Sequence, residues 1–201
     1  MIRLMLADDQ ALVRGALAAL LSLESDFEVV GQSGSAEELL AAGDASPPDV
    51  ALVDVEMPGM DGITATGLLK QKHPGVRVVI VTTFGRPGYL RRALQSGAEG
   101  FVVKDTPASQ LADAVRRVHA GLRVVDPVLA ADSIAAGESP LTPREAEVLK
   151  SARDGAAVAT IARRVYLSEG TVRNHLSAAI GKTGAQNRAE AIRIADENGW
   201  L

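Results

Sequence analysis

Hydrophobic residues in the first part of the chain follow two alternating spacings. Short runs are almost continuously apolar, and the stretches between them carry hydrophobic residues at helical spacing. Such continuous runs are expected of parallel strands that helices cover on both faces. The pattern predicts strands at Ile2–Ala7, Val29–Ser33, Val50–Asp54, Val76–Thr82 and Gly100–Val103.

Helix-start and helix-stop residues mark the stretches between these strands. The pattern predicts helices at Ala11–Leu23, after a capping box of Ser35 and Glu38, at Gly62–Lys72, at Pro87–Ser96, and from Thr106-Pro107 to Ala120. This repeated order predicts right-handed crossovers and a five-stranded, doubly wound α/β sheet. Because order along the chain does not determine order in the sheet, the flavodoxin-like order 2-1-3-4-5 is adopted as an expectation.

The last third of the chain has a different pattern. Asp126-Pro127 opens a short helical segment, and the loop-forming run at 137–140 then interrupts it. From Leu141 onward the pattern is helical only, with helix starts at Thr142, Ser168 and Asn187. We expect one domain at 1–121, a short helix and linker at 122–140, and an all-α four-helix domain at 141–201.

Composition narrows the class of protein. The 201 residues, 47% of them hydrophobic, can form one large or two small cores. The chain has no cysteine, which excludes disulfides and thiolate metal sites. Its N-terminal apolar run lacks the basic flank and cleavage site of a signal peptide, and no apolar run approaches the ~20 residues of a membrane span. We therefore expect a soluble, cytoplasmic protein.

The distribution of charge matters more than the net charge of −4, which by itself argues against a generally basic nucleic-acid binder. Residues 1–126 hold 12 basic and 16 acidic residues, whereas residues 127–201 hold 9 of each. Within the second part, residues 158–188 contain five basic residues and one acidic residue. Positive charge is thus concentrated where a DNA-binding surface would need it.

Reactive side chains lie at the predicted carboxyl ends of the strands. Asp8 and Asp9 follow the first strand, Asp54 ends the third, Thr82 ends the fourth and Lys104 follows the fifth. In a parallel α/β sheet these ends meet at one edge. Two carboxylates ~4 Å apart repel by about 4 kcal/mol at an effective dielectric near 20. We expect Lys104 and a hard divalent cation to offset that repulsion, and oxygen ligands suit Mg²⁺.

Such a cluster is typical of phosphoryl transfer to a carboxylate. Asp54 is the expected nucleophile, and Asp9, with Asp8 acting through water, is expected to hold Mg²⁺. Lys104 would neutralise a phosphoryl oxygen, and Thr82 would donate a hydrogen bond. Any one of these acidic residues alone could be an ordinary solvated loop or cap residue. That alternative weakens when all five residues lie at successive strand ends.

Four segments of this region resemble the receiver-domain signatures of two-component response regulators. They are Asp8-Asp9, the run from Asp54 to Gly62, the run from Val81 to Phe84, and the run from Gly100 to Asp105. The resemblance implies phosphoryl transfer from a histidine kinase and Mg²⁺ bound by Asp9, Asp54 and the backbone carbonyl of Glu56. It also implies a switch formed by Thr82 and an aromatic residue, here Phe101. Phe101 is equally well explained as an ordinary core residue.

The C-terminal region carries a predicted recognition helix. Val172, Leu176 and Ala179 share one face, while Asn174 points the opposite way beside Gly170, Ser177 and Gly181. Asn pairs with adenine and Arg with guanine in the major groove, which favours DNA recognition. We expect DNA contacts from Thr171, Arg173, Asn174, Ser177 and Lys182, with Lys182, Arg163, Arg164 and Arg188 as candidates for phosphate contacts. A structural role is preferred for His175.

Two runs resemble the LuxR/NarL-type helix-turn-helix: Leu141 to Leu149, and Leu167 to Leu176. The run from Thr82 to Tyr89 and the ending Gly199-Trp200-Leu201 resemble actinobacterial regulators of the desaturase-regulator (DesR-like) type. One segment and one single position depart from the family. Residues 156–160 offer no good cap for the second helix of this domain, and Thr183 places a hydroxyl where leucine is common. Both departures bear on domain stability.

The residues together predict a phosphorylation-activated transcription regulator of a two-component system. It would accept a phosphoryl group on Asp54 from a sensor histidine kinase, dimerise, and bind promoter double-stranded DNA, with RNA polymerase as a further candidate partner and no membrane role. Its own chemistry would be limited to phosphotransfer and autodephosphorylation on Asp54. The resemblance implies a dimer surface on the first and fifth helices, or on the fourth and fifth; the first pair is preferred.

Two other functions would use the same part of the chain. A haloacid-dehalogenase-type phosphatase would also use Asp54 as nucleophile, but its chemistry needs an aspartate two residues later, where this chain has Glu56. A regulator whose receiver is never phosphorylated, and serves only to dimerise, would not need all five residues of the acidic cluster.

Overall fold

The computed structural model describes residues 1–83, 85, 87–135, 137 and 139–201. Phe84 and Arg86 of the quoted motifs and Glu138 of the predicted boundary lie outside the described residues. The chain divides into two compact units. The first comprises Met1–Gly85 and Tyr89–Ala130, and the second includes Ala131–Leu201. The domain boundaries expected from the sequence stay predictions.

The first unit is built on one parallel sheet. Its strands are β1 (Ile2–Ala7), β2 (Phe27–Ser33), β3 (Val50–Val53), β4 (Arg77–Thr82), β5 (Gly100–Val103) and β6 (Val124–Val125), in the order β2-β1-β3-β4-β5-β6. The predicted order of the first five strands is confirmed. The predicted number of strands was wrong, because β6 pairs with β5 at the edge. A two-residue strand is too short to produce a hydrophobic pattern.

Helices cover both faces of this sheet. They are α1 (Ala11–Leu21), α2 (Ala36–Ala45), α3 (Gly62–Lys72), α4 (Pro87–Gln95) and α5 (Ala108–His119). A further helix, α6 (Pro127–Ala135), follows β6, and its Leu129 packs against the core. Side chains alternate across β1, so Leu4 belongs to the core that also contains residues of α1 and α5, whereas Met5 belongs to the core that also contains residues of α2, α3 and α4. Both cores run through the central strands, which explains why these strands are almost continuously apolar.

One predicted helix start differs in detail. The Ser35 hydroxyl accepts a hydrogen bond from the Glu38 backbone N–H, as a capping box requires. The Glu38 carboxylate, however, accepts from Gly34 N–H and not from Ser35. Only half of the predicted box forms, and Glu38 instead stabilises the residue before the cap.

The second unit contains the predicted helices α7 (Pro143–Lys150), α8 (Val158–Arg164), α9 (Glu169–Thr183) and α10 (Arg188–Glu197). Thr142 and Glu145 form the complete capping box of α7. Ala157 precedes α8 without a side-chain cap, as expected. The Thr183 hydroxyl is satisfied, because it donates to the backbone carbonyls of Ala179 and Ile180. Among the described residues, no helix is long and apolar enough to cross a membrane.

Candidate functional site

Three carboxylates meet at the carboxyl edge of the sheet. Adjacent strands β1 and β3 carry Asp8, Asp9 and Asp54 to this edge, where one carboxylate oxygen of each lies within 4.8 Å of the others. Asp8 and Asp54 are each only 3% exposed, whereas Asp9 faces solvent. The structure therefore brings together the acidic residues expected from the sequence, in a grouping that could hold a divalent cation.

Lys104 neutralises part of this cluster. Its ammonium group lies 2.8 Å from an oxygen of Asp8 and 3.0 Å from an oxygen of Asp54. Burial alone would lower the pKa of Lys104, but its hydrogen bonds to Asp8 and Asp54 more than offset burial, and its pKa is raised. Lys104 is therefore charged, and it balances one of the two buried carboxylates.

Asp54 is left with an unpaired oxygen. Its Oδ1 is buried and has no hydrogen-bond partner among the described residues, while Oδ2 accepts from Lys104. Burial raises the pKa of Asp54, although the bond to Lys104 acts in the opposite direction. A buried carboxylate oxygen without a partner is costly, which favours a ligand at this atom, either a cation or a covalently attached group.

The backbone around Asp54 is held tightly. Asp54 N–H donates to the carbonyl of Ala7 at 2.8 Å, and Gly62 N–H donates to the carbonyl of Val55 at 3.0 Å. A Cβ atom added to Gly62 would lie 1.8 Å from the carbonyl oxygen of Asp54. Gly62 is therefore required for the first turn of α3 to approach the site. This role of Gly62 was not predicted, although a glycine at a helix start after the cap residue Asp61 is a usable signal.

Two contacts join the segment between Asp54 and α3 to α4. Asp61 caps α3 by accepting from Thr64 N–H at 2.6 Å, and its other oxygen pairs with Arg92 of α4 at 3.1 Å. The Tyr89 hydroxyl donates to the exposed Glu56 carboxylate at 3.4 Å. Neither contact was anticipated. The expected role of the Glu56 carbonyl as a metal ligand stays a prediction.

The remaining predicted residues of this site lie on β4 and β5, and an unpredicted residue of α1 joins them. Thr82 is 1% exposed, and its carbonyl accepts a hydrogen bond from Lys104 N–H at 2.8 Å. Phe101 is also 1% exposed and packs in the core between the sheet and α2 to α4. Arg14, which was not predicted to belong to the site, donates from its guanidinium to the carbonyl of Asp8 and so supports the loop that carries the acidic pair.

The second candidate site is the surface of α9. Val172, Leu176 and Ala179 are buried, whereas Arg173, Asn174 and Ser177 are exposed together with Gly170 and Gly181. Thr171 and His175 are half-buried between the two faces. Ser168 caps the helix by accepting from Thr171 N–H at 3.1 Å. The two faces expected from the sequence are thus present, with the polar face open to a ligand.

Most of the basic residues near α9 already have partners. Lys182 pairs with both oxygens of Glu145, at 2.7 and 2.9 Å, so a phosphate contact from Lys182 stays a prediction and would compete with this bond. The other engaged residues are Arg173, bonded to Glu169, Arg164, bonded to Asp154, and Arg188, bonded to the carbonyl of Ala156. Among the described residues, Arg163 makes two long bonds of 3.4 Å, both within its own helix.

Two known protein families match the chain, each in one part. Residues 4–116 match the response regulator receiver domain. Residues 139–195 match the bacterial regulatory proteins of the luxR family. The first match contains the acidic cluster and Lys104, and the second contains α9.

Similar proteins align over the full length. An uncharacterized transcriptional regulatory protein, YvfU of Bacillus subtilis (strain 168), is 45% identical over 201 residues, covering 100% of both chains. The transcriptional regulatory protein DesR of the same strain is 41% identical over the same span. The crystal structure of the response regulator ChrA of a heme-sensing two-component system is 32% identical, with a TM-score of 0.59, and covers 100% of this chain and 98% of that chain.

Proposed function

The chain belongs to the two-component response regulators that join a receiver domain to a LuxR-type DNA-binding domain, and from that premise we propose how its residues act. It is a DNA-binding transcription regulator, not a conventional enzyme. We assign residues 1–121 to the receiver, 122–140 to a short helix and linker, and 141–201 to the DNA-binding domain. Its place of action is the cytoplasm, where promoter DNA lies.

Asp54 is the proposed phosphoacceptor, and a sensor histidine kinase is the proposed donor. A carboxylate oxygen of Asp54 attacks phosphorus, the bond from phosphorus to the kinase histidine nitrogen breaks, and an acyl phosphate forms on Asp54. The observation that carries this proposal is the buried, unpaired Oδ1 of Asp54 beside the Lys104 ammonium. Lys104 is placed to neutralise a phosphoryl oxygen, and the Thr82 hydroxyl to donate a hydrogen bond, with Phe101 as the aromatic member of the switch.

Mg²⁺ is the proposed cofactor. Asp9, Asp54 and the backbone carbonyl of Glu56 would bind it directly, and Asp8 would bind it through water. The ion supplies charge neutralisation for the transferred group when it is bound. The grouping of three carboxylate oxygens within 4.8 Å supports this assignment, since one lysine balances only part of their charge.

Mass spectrometry after treatment with acetyl phosphate tests both assignments. We expect a single phosphoryl adduct that requires Mg²⁺, persists for minutes or longer, and is absent from Asp54→Asn. An adduct that persists in Asp54→Asn would contradict the choice of residue. Rapid turnover of acetyl phosphate without a stable adduct would indicate a phosphatase, and no incorporation at all would indicate a receiver that serves only to dimerise.

The exposed face of α9 is the proposed reading surface for promoter DNA, with base contacts from Asn174 and Arg173 and further contacts from Thr171, Ser177 and Lys182. Asn174→Ala should cost about 1–3 kcal/mol of binding free energy and relax the base preference. Lys182→Ala should weaken binding to all sequences about equally. If Asn174→Ala binds both the selected and the scrambled duplex as tightly as the wild type does, the reading surface lies elsewhere.

Phosphorylation is proposed to act by forming a homodimer. A single reading helix in a region of zero net charge should bind DNA weakly, whereas two linked domains make the second contact intramolecular. We place the dimer surface on α1 and α5, because Leu12 and Leu20 of α1 are 87% and 46% exposed. RNA polymerase is a candidate partner of the DNA-bound dimer.

A further inference from the structure

Tyr166, in the turn between α8 and α9, has two unfavourable features at once. Its φ is 54°, which makes it the only non-glycine residue with a positive φ in the described part of the chain. The left-handed region is disfavoured for a bulky residue, and glycine or asparagine would adopt it at lower cost. The side chain is also 92% exposed, the highest exposure among the large hydrophobic residues described. Folding of the second unit therefore gains little from tyrosine here.

The surface beside Tyr166 is a shallow depression between α8 and α9. It has a volume of about 590 Å³ and is lined by Ala159, Ala162, Arg163, Tyr166, Leu167 and Glu169. Arg163 is 3.4 Å from each of its two partners, both in its own helix, so its guanidinium can take a stronger one. Glu169 is neutralised by Arg173 at 2.7 Å. The rim of the depression is therefore positive.

We propose that Tyr166 and Arg163 form a second DNA contact beside the reading helix. The Tyr166 hydroxyl donates a hydrogen bond to a DNA phosphate, and the Arg163 guanidinium pairs with a neighbouring phosphate. Charge argues for DNA as the occupant, because Arg163 has no acidic partner among the described residues and its positive charge is open to a phosphate. So does position, since Tyr166 lies two residues before Ser168, which caps α9. The inference rests on the proposed function only in that α9 faces DNA.

Strain and function predict opposite effects of one substitution. Asparagine suits the left-handed backbone, so Tyr166→Asn should unfold at a temperature equal to or above that of the wild type. The same variant should bind DNA roughly tenfold more weakly, as should Tyr166→Phe, which keeps the ring and loses only the hydroxyl. The loss should be equal for selected and scrambled DNA, because a phosphate contact carries no base preference.

The test is fluorescence anisotropy with the full chain treated with beryllofluoride and Mg²⁺. One labelled duplex is selected with wild-type protein from a random library, and the other is its scrambled counterpart. Arg163→Gln should weaken binding and flatten the salt dependence, whereas the matched variant Arg193→Gln, on α10, should do neither. Unchanged DNA affinity in both Tyr166→Phe and Tyr166→Asn would overturn the proposal and leave this surface to a protein partner. If the Tyr166 variants keep their DNA affinity while Asn174→Ala still relaxes base preference, only the Tyr166 contact is wrong and the proposed reading surface on α9 still holds.

Discussion

Replacing Lys104 by methionine should destabilise the first unit by an amount that depends on pH. Lys104 lies 2.8 Å from Asp8 and 3.0 Å from Asp54, and each attraction is worth about 5–6 kcal/mol at an effective dielectric near 20. Without the lysine, two buried carboxylates within 4.8 Å repel by at least about 3.5 kcal/mol. The variant can escape by protonating one of them, which limits the cost.

That limit sets the expected magnitude. An ordinary aspartate pKa is near 3.9, and each pH unit above it adds about 1.4 kcal/mol to the cost of keeping the group protonated. The destabilisation caused by Lys104→Met is therefore limited to about 4 kcal/mol at pH 7 and to about 1.5 kcal/mol at pH 5. We expect Lys104→Met to lower the free energy of unfolding by about 3–4 kcal/mol at pH 7, the usual cost of breaking a buried ion pair, and by about 1–1.5 kcal/mol at pH 5. The destabilisation grows with pH because, in the folded variant, the two carboxyl groups repel each other and one of them keeps its proton to a higher pH than in the unfolded chain.

Urea unfolding in EDTA, followed by circular dichroism, measures this difference. Trp200, the only tryptophan, packs against the core of the second unit, and its fluorescence follows that unit separately. The matched control is Lys72→Met, which removes an ion pair to Asp44 between side chains 52% and 46% exposed and should cost far less stability than Lys104→Met. Added Mg²⁺ should reduce the difference in unfolding free energy between Lys104→Met and the wild type. It should leave the corresponding difference for Lys72→Met unchanged. Equal losses in the two variants, or the same loss at both pH values, would refute the reasoning.

Two further substitutions address other parts of the molecule. Gly62→Ala should abolish Mg²⁺-dependent phosphorylation in acetyl phosphate assays, because its Cβ would lie 1.8 Å from the Asp54 carbonyl oxygen; a variant that is phosphorylated at the wild-type rate would show that α3 can shift freely. Glu145→Gln should destabilise the second unit at pH 7 in Trp200-monitored unfolding. The Lys182 side chain and the Thr142 N–H lower the pKa of Glu145, so its contribution is complete above its ordinary pKa of about 4.3 and is lost as pH falls through the lowered value. A difference between Glu145→Gln and wild type that survives at pH 2 would contradict that origin.

The strands show what hydrophobic pattern can and cannot predict. Ile2–Ala7 and Gly100–Val103 were predicted with their observed bounds, because each run is mostly apolar and is followed by a charged residue. The second strand begins at Phe27, two residues before its predicted start. The prediction began late because the exposed Glu28 separates Phe27 from the apolar run at Val29. β6 has only Val124 and Val125, and its pairing with β5 depends on tertiary structure.

The candidate site shows the same division. Convergence of Asp8, Asp54 and Lys104 was predictable, because parallel topology alone brings strand ends to one edge. Pairings between distant helices were not predictable, because they depend on how the helices pack and no local sequence pattern contains that information. The bond between Lys182 and Glu145 joins residues 37 positions apart and ties up a side chain that had been expected to face DNA. The pair of Arg173 with Glu169 follows the helical spacing of four residues and could have been predicted.

The central claim is that a phosphoryl group on Asp54 increases DNA affinity through dimerisation. Its most direct test is titration of a labelled duplex, selected from a random library, with the full chain in Mg²⁺, with and without beryllofluoride. Sedimentation is measured at the same protein concentrations. The account predicts that beryllofluoride shifts the wild type from monomer to dimer and tightens DNA binding, while Asp54→Asn responds in neither measurement. Tighter binding by a protein that stays monomeric well above the binding midpoint would contradict dimerisation in free solution. Unchanged affinity, or an equal response of Asp54→Asn, would contradict the claim itself.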